Sequence, residues 1–360
     1  MKFKSLVFAS ISCLLPLAAN AEELKVFCYE GYVTQAVADG FAKAMKAKGI
    51  DATIKFTVIS DPQEIFDALR GNKADIVTPS HNVVKSQKWK LIDNKMLAPL
   101  NLQNMPNYKS LIPSLQKAEF ITEGDKTYGV PYTYGPYGLA YNTAIVKEEP
   151  TSWNVLLDPK YAGKFALSSD YHEANVYVAA LASGVNKDQI GHIETLFNNP
   201  EVQKKLDYLA KNAKVLWKSV DTAKDLKGLA LATSWGFALP ELKKQGEVWK
   251  MAKPKEGVTG WVDSFSISSE LEKNPKKLKL AEEFLNYMIG TEVQVGNIVR
   301  TLGSFPVNAA VKPLLTAEEV KTFKLDDPDF FRKEFILWKT LTVRDQNGMK
   351  VMWKRAKGES

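Results

Sequence analysis

The chain has 360 residues, 45% of them hydrophobic, with 48 basic against 41 acidic side chains and two cysteines. That length is long for one hydrophobic core and predicts two domains. The mild positive balance, with lysines spread along amphipathic stretches and no basic block interleaved with aromatics, argues against a nucleic-acid partner.

Residues 1–21 carry Lys2 and Lys4, an apolar run from Leu6 to Ala18, and then Ala19-Asn20-Ala21. This order predicts a secretory signal peptide cut before Glu22. The run is too short to span a bilayer and no later stretch approaches about 18 consecutive apolar residues, so a soluble mature protein is expected. Cys13 sits in a poor context for lipid attachment, with Ser10-Ile11-Ser12 before it and Leu14-Leu15-Pro16 after it. Removing 21 of 360 residues leaves 339, with Cys28 as the single cysteine and 46 basic against 41 acidic side chains. No intramolecular disulfide can form, and Cys28, in an apolar run, is expected to be a buried strand residue. A basic protein does not steer cations by its overall field, so any cation site needs local carboxylates.

Leu24 to Tyr29 reads as a first strand and Glu30-Gly31-Tyr32 as the turn after it. Val33 to Lys48 has helical periodicity, with Val33, Ala36, Val37, Phe41 and Met45 on one face. Thr53 to Ile59 alternates apolar and polar residues as a strand does, and Asp61-Pro62 opens a helix that Gly71 closes after Arg70. Asp75 to Ser80 reads as a short buried strand. The order β, α, β, α, β implies a parallel sheet, whose ligand sites lie outside the strand C-termini. Tyr29, Glu30 and Tyr32 end the first strand there, and Ser80, His81 and Asn82 end the third.

From Pro99 to Pro136 the pattern loosens, and a crossing between domains is expected near Thr133, with the aromatics of 128–137 more suited to packing than to a cleft wall. Tyr137 to Tyr141 resumes a strand, and Ser152-Trp153 with Leu156 to Pro159 reads as a short helix and turn. Gly163 to Leu167 reads as another strand, and a helix follows from Ala174 to Ser183. Asp170 and Glu173 have capping-box spacing ahead of that helix, which predicts a structural role; one or both could instead face a cleft. Gly228 to Gly236 reads as a buried strand ending in Trp235, Lys276 to Met288 as a helix, Gly303 to Asn308 as a loop, and the C-terminus as helices. Trp261 and Asp263, at i and i+2, leave the same face of a strand. An indole beside a carboxylate can receive a cation, the ring through its quadrupole and the acid through N–H hydrogen bonds.

Val26 to Val33, Val77 to Ser80, Ser152-Trp153 with Tyr161 to Lys164, Asp170 with Glu173, Ser234 to Gly236, and Trp261 to Ser264 form one ordered set. It resembles the bacterial polyamine-binding proteins, the PotD/PotF-like spermidine and putrescine receptors among the type II periplasmic binding proteins. The likeness runs from Leu24 to about Ala310. It implies an α/β fold, a two-lobed clamshell in which each lobe is a central mixed β-sheet flanked by helices. Residues 22–132 with 262–307 would form lobe 1, and 133–261 with 308–360 lobe 2. The resemblance implies that Tyr29 stands where the family has a stacking Trp, that Tyr32 and Ser80 match a cleft tyrosine and serine, and that Asp170, Glu173 and Asp263 match acids that bind amino groups. Trp235 and Trp261 would be aromatic walls. Asn82 and Ser304 replace tyrosines found in many spermidine binders, with His81 beside the cleft serine, and this pocket is more similar to the norspermidine-sensing members.

The resemblance thus implies a periplasmic, monomeric polyamine receptor without a cofactor. Its inner-membrane partner would be the periplasmic domain of a signalling receptor or an ABC permease. A triamine carries about three positive charges at neutral pH, which calls for acids at intervals with aromatic walls between. A ferric-ion binding protein is a distant alternative, with His81, His172, Glu173 and the tyrosines of 128–137 as ligands. An enzyme is not expected: no G-x-S-x-G or P-loop occurs, and no spacing forces two carboxylates together.

Overall fold

The computed structural model describes residues 21–327 and 329–359; residues 1–20 of the expected signal peptide, Cys13 among them, lie outside the described residues. Strand β1 (Glu22–Tyr29) pairs in parallel along its whole length with β2 (Ala52–Ile59). Between them α1 (Gln35–Ala47) begins at Thr34, whose side chain accepts from the Val37 N–H, and buries Val37, Phe41 and Met45. Helix α2 (Pro62–Arg70) opens on a capping box in which Asp61 and Glu64 each accept from the other's backbone, satisfying donors that a first turn leaves free. Strand β3 pairs in parallel with β1 but keeps only Ile76–Val77, less than the expected Asp75 to Ser80. Pro79 has no N–H to donate to a ladder, and the chain turns through Ser80 into a helical turn at His81–Val84.

Two long strands cross the molecule, Val130–Asn142 and Val258–Ile267, antiparallel to each other. They sit in the middle of one mixed sheet. Beyond them on one side lie β3, β1 and β2, and on the other Leu231–Ser234, Phe165–Ser168 and Val215–Trp217. The loosened stretch 128–136 is thus part of one 13-residue strand. Pro131 and Pro136 broke its alternation in the sequence, and Pro131 is accommodated where the register shifts between Asp263 and Ser264, a bulge that bends the strand. Several strands were not anticipated, among them Val215–Trp217, Trp249–Met251, inside a lysine-rich stretch, and Phe335–Leu337, in a C-terminus read as helices. Phe305–Pro306, read as loop, pairs with Thr133–Tyr134.

The apolar core divides along the crossing strands. One cluster gathers Tyr137, Trp153, Phe165, Tyr177, Trp217 and Trp235; another gathers Val26, Phe41, Tyr132, Phe265 and Phe284, with a smaller one around Ile65, Val77 and Trp89. Each fully buried large side chain contributes about 1.5–3 kcal/mol. Trp261 belongs to the first cluster and its neighbour Val262 to the second, as alternation along a strand requires. The stretch 308–360 feeds both: Met349, Met352 and Trp353 join the first core, and Phe331 the second. Cys28 is wholly buried, and burial pushes its thiol up to about 12.

Candidate ligand-binding cleft

A cleft opens where the two cores meet. Tyr29, Glu30, Tyr32 and Ser80 line it from β1 and β3; Trp261 and Asp263 line it from a crossing strand. Tyr171, Ser219, Val220, Trp235, Phe237 and Trp338 complete the wall.

Asp263 is the one charged group in this wall that is buried, at 5% exposure. Its Oδ2 accepts from the Tyr32 hydroxyl at 2.5 Å, and Ser80 bridges to the same residue through the backbone. Its Oδ1 is buried and has no hydrogen-bond partner among the described residues. Burial raises the carboxyl to about 6, against the opposing pull of the Ser80 and Tyr32 hydroxyls. A carboxylate that has lost water and retains an unused oxygen is poised for a cationic donor. Burial, with the Asp263 charge, pushes the Tyr32 phenol well up, so Tyr32 stays protonated and donates.

Tyr32 is itself held from behind. Its carbonyl accepts from Tyr132 Oη at 3.1 Å and from Asn297 Nδ2 at 3.2 Å, and Asn297 also donates to the Gly31 carbonyl at 3.0 Å. Gly31 has φ of +79°, a conformation that favours glycine and lets β1 turn sharply into the cleft. Asn297 projects from a π-helix, Gln294–Leu302, whose wider turn is common beside functional sites. Tyr29 meets Tyr32 edge to face at 6.0 Å.

The aromatic wall is fixed through its N–H groups. Trp261 donates to the Pro136 carbonyl at 3.2 Å and lies over Gly135, where a Cβ would come within 3.1 Å of the indole. Trp235 donates its backbone N–H to Asp221 Oδ1 at 2.9 Å and its indole N–H to the Ser219 carbonyl at 3.3 Å. Trp235 and Trp261 stand edge to face at 6.0 Å. Asp221 is buried and accepts from Ser234 Oγ at 2.6 Å. Burial raises its carboxyl despite these bonds, and it serves Trp235 from outside the cleft wall.

The structure brings Tyr29, Tyr32, Ser80, Trp235, Trp261 and Asp263 to one cleft; the other four candidates do not line it. His81 is buried between two backbone groups. Ser304 is buried against Thr133 Oγ1 at 2.8 Å and the Tyr134 carbonyl, where it pins a crossing strand. Asp170 is exposed, and its carboxylate accepts from Ser168 Oγ and the Ser219 N–H. The capping box is not formed: the helix His172–Ala182 starts after Tyr171 and has no side-chain cap. Glu173 pairs with His172 Nε2 at 3.1 Å and accepts from Gln346 Nε2 at 3.3 Å. Burial works against its charge, but the His172 pairing together with the backbone and Gln346 hydrogen bonds outweighs that and holds the carboxyl below its ordinary value.

Tyr171, Phe237 and Trp338 line the cleft without having been singled out. Tyr171 lies between the two acids that drew attention, and Phe237 is two residues past Trp235, so helical and strand spacing could have flagged both. Trp338 gave no local signal. Among the described residues no three His, Cys, Asp or Glu side chains gather as a metal site, and no helix is long and apolar enough to cross a membrane.

Two cores joined by crossing strands, with a cleft at the junction carrying one buried acid among aromatic rings, define a two-lobed solute-binding protein of the type II periplasmic class. The chain belongs to the bacterial extracellular solute-binding proteins, whose family pattern matches residues 71–334. It is similar to the spermidine/putrescine-binding periplasmic protein of Escherichia coli (strain K12), 24% identical over 310 residues, covering 84% of this chain and 83% of the relative. The putrescine-binding periplasmic protein PotF of the same organism is 24% identical over 371 residues, covering 89% and 92%. The spermidine/putrescine ABC transporter substrate-binding protein PotD of Streptococcus pneumoniae has the same fold, with a TM-score of 0.71 at 20% identity, covering 94% of this chain and 99% of that one.

Proposed function

We propose that this chain is a periplasmic receptor for a short polyamine of the norspermidine or spermidine type. It closes on the ligand between two lobes and presents the closed form to an inner-membrane partner. The observation that carries this reading is Asp263, a buried carboxylate with one oxygen held by Tyr32 and the other without a partner among the described residues. An alkylammonium supplies the missing donors, a charge-assisted hydrogen bond contributing about 1.5–3 kcal/mol. Trp235 and Trp261 offer ring faces to the methylenes and to a second charge, at about 0.5–2 kcal/mol per contact. Glu30, exposed at the mouth, is the acid for an outer amine. The similarity to spermidine- and putrescine-binding relatives supports the ligand class.

In this reading 22–132 with 262–307 and 133–261 with most of 308–360 move as the two lobes, and a ligand touching both stabilises the closed form. The partner is the periplasmic domain of a signalling receptor. The second reading, a substrate-binding component of an ABC transporter, is favoured by the name of the S. pneumoniae relative. Calorimetric titration with putrescine, norspermidine, spermidine and spermine tests the ligand class, and absence of binding by all four refutes it. Pull-down of membrane partners with and without polyamine, set beside uptake in a deletion strain, separates sensing from transport.

A further inference from the structure

The strand Phe335–Leu337 pairs in parallel with Val258–Gly260 of a crossing strand and delivers the next residue, Trp338, to the cleft wall. Trp338 lies beyond residue 334, where the family match ends. Both of its backbone groups are held: the N–H donates to the Gly260 carbonyl at 3.2 Å, and the carbonyl accepts from His81 Nε2 at 2.9 Å. The Val262 N–H donates to His81 Nδ1 at 3.3 Å. A ring nitrogen that accepts carries no proton, so His81 is neutral with its proton on Nε2. Burial drives its pKa down to about 4, and this tautomer persists across the neutral range. The indole is confined as tightly as the backbone, 5.7 Å from Trp235, 5.9 Å from Tyr177 and 6.3 Å from Tyr171. A ring held at this many points is a fixed stop.

Trp338, Trp235 and Tyr171 pack with one core, while Tyr32, the partner of Asp263, packs with the other. A ligand anchored at Asp263 therefore extends from the second core toward the first and meets Trp338 there. We propose that Trp338, positioned by His81, is the wall that sets how long a polyamine the cleft accepts. This rests on the polyamine reading above.

The test is calorimetric titration of norspermidine and spermine into the wild-type protein, Trp338→Ala, Trp338→Phe, His81→Leu and Asp263→Asn. Removing the indole lets one or two further methylenes be buried, so the ratio of spermine to norspermidine affinity rises roughly tenfold in Trp338→Ala. Trp338→Phe shifts the ratio in the same direction by less, and carries the measurement if the alanine variant does not fold. His81→Leu, which frees the Trp338 carbonyl, also raises the ratio. An unchanged ratio in the Trp338 variants, with binding still dependent on Asp263, overturns the wall and leaves the polyamine reading standing. Failure of the wild-type protein to bind either amine overturns both.

Discussion

The two sides of the cleft differ in kind. The side built by β1, β3 and the bulged crossing strand is polar: the Tyr32 hydroxyl, Ser80 and the Asp263 carboxylate, backed by Asn297 and Tyr132. The other side is a set of rings, Trp235, Phe237, Tyr171 and Trp338, and the one bonded indole N–H among them, that of Trp235, is held by the Ser219 carbonyl of the same wall. One side fixes a charge at a defined carboxylate, and the other offers ring faces that chiefly set shape. A ligand recognised here is anchored at one end and sized at the other, and the two properties should respond to mutation separately.

The largest expected effect is on the polar side. Asp263→Asn keeps the shape and removes the charge, and should weaken polyamine binding by about tenfold to a hundredfold in a calorimetric titration. On the ring side, Trp235→Ala should weaken it by roughly 3- to 30-fold with little discrimination among charges, and should also lower the melting temperature because the ring fills a core.

The pH dependence belongs to Asp263 alone among the cleft groups that are buried and acidic, with the Tyr29, Tyr32 and Tyr171 phenols around it protonated throughout. Burial raises its pKa in the folded protein to about 6, from the ordinary 3.8. The free protein is therefore stabilised by this group below pH 3.8 and loses that contribution, about 3 kcal/mol, as pH rises through 6. Binding runs the other way. Affinity should fall as pH drops below about 6, and titrations near pH 6 in buffers of different ionisation heat should reveal a proton released on binding. An affinity independent of pH between 5 and 8 would remove Asp263 from the site. Tyr32→Phe takes away the hydroxyl that opposes burial, and should move that pH midpoint upward while costing about 1–3 kcal/mol of stability for the oxygen left unpaired. The smallest effect is predicted for Glu173→Gln: its carboxylate contacts His172 and Gln346, neither of which lines the cleft, and affinity should change by less than about threefold.

Legibility in the sequence followed the same division. The segment from β1 to α2 could be read because period, caps and glycine stops agreed: Asp61-Pro62 opened a helix where it should, and the alternation of Ile54, Phe56 and Val58 marked a strand. The crossing strand Val130–Asn142 was obscure because it is buried on both faces, and prolines interrupt what alternation a buried strand retains. Within the site, Tyr29 at the end of β1, Ser80 in the loop after β3, and Trp261 and Asp263 on the crossing strand fell on the cleft. Asp170 and Glu173 were harder, because an acid ahead of a helix looks the same in sequence whether it faces a ligand, a backbone N–H or a histidine. Trp338 could not be found by spacing at all: its neighbours in space, Trp235 and Tyr171, are far away in the chain, and only the pairing of Phe335–Leu337 with Val258–Gly260 brings them together.

Cys28 gives the molecule a built-in reporter. Its thiol sits inside the core next to Tyr29, the residue where β1 reaches the cleft, and it is inert while the fold is intact. The rate at which a thiol reagent modifies it is therefore a clock for the opening of that half of the protein. A ligand that clamps the cleft should slow the clock, while one that merely sticks to the surface should leave it unchanged.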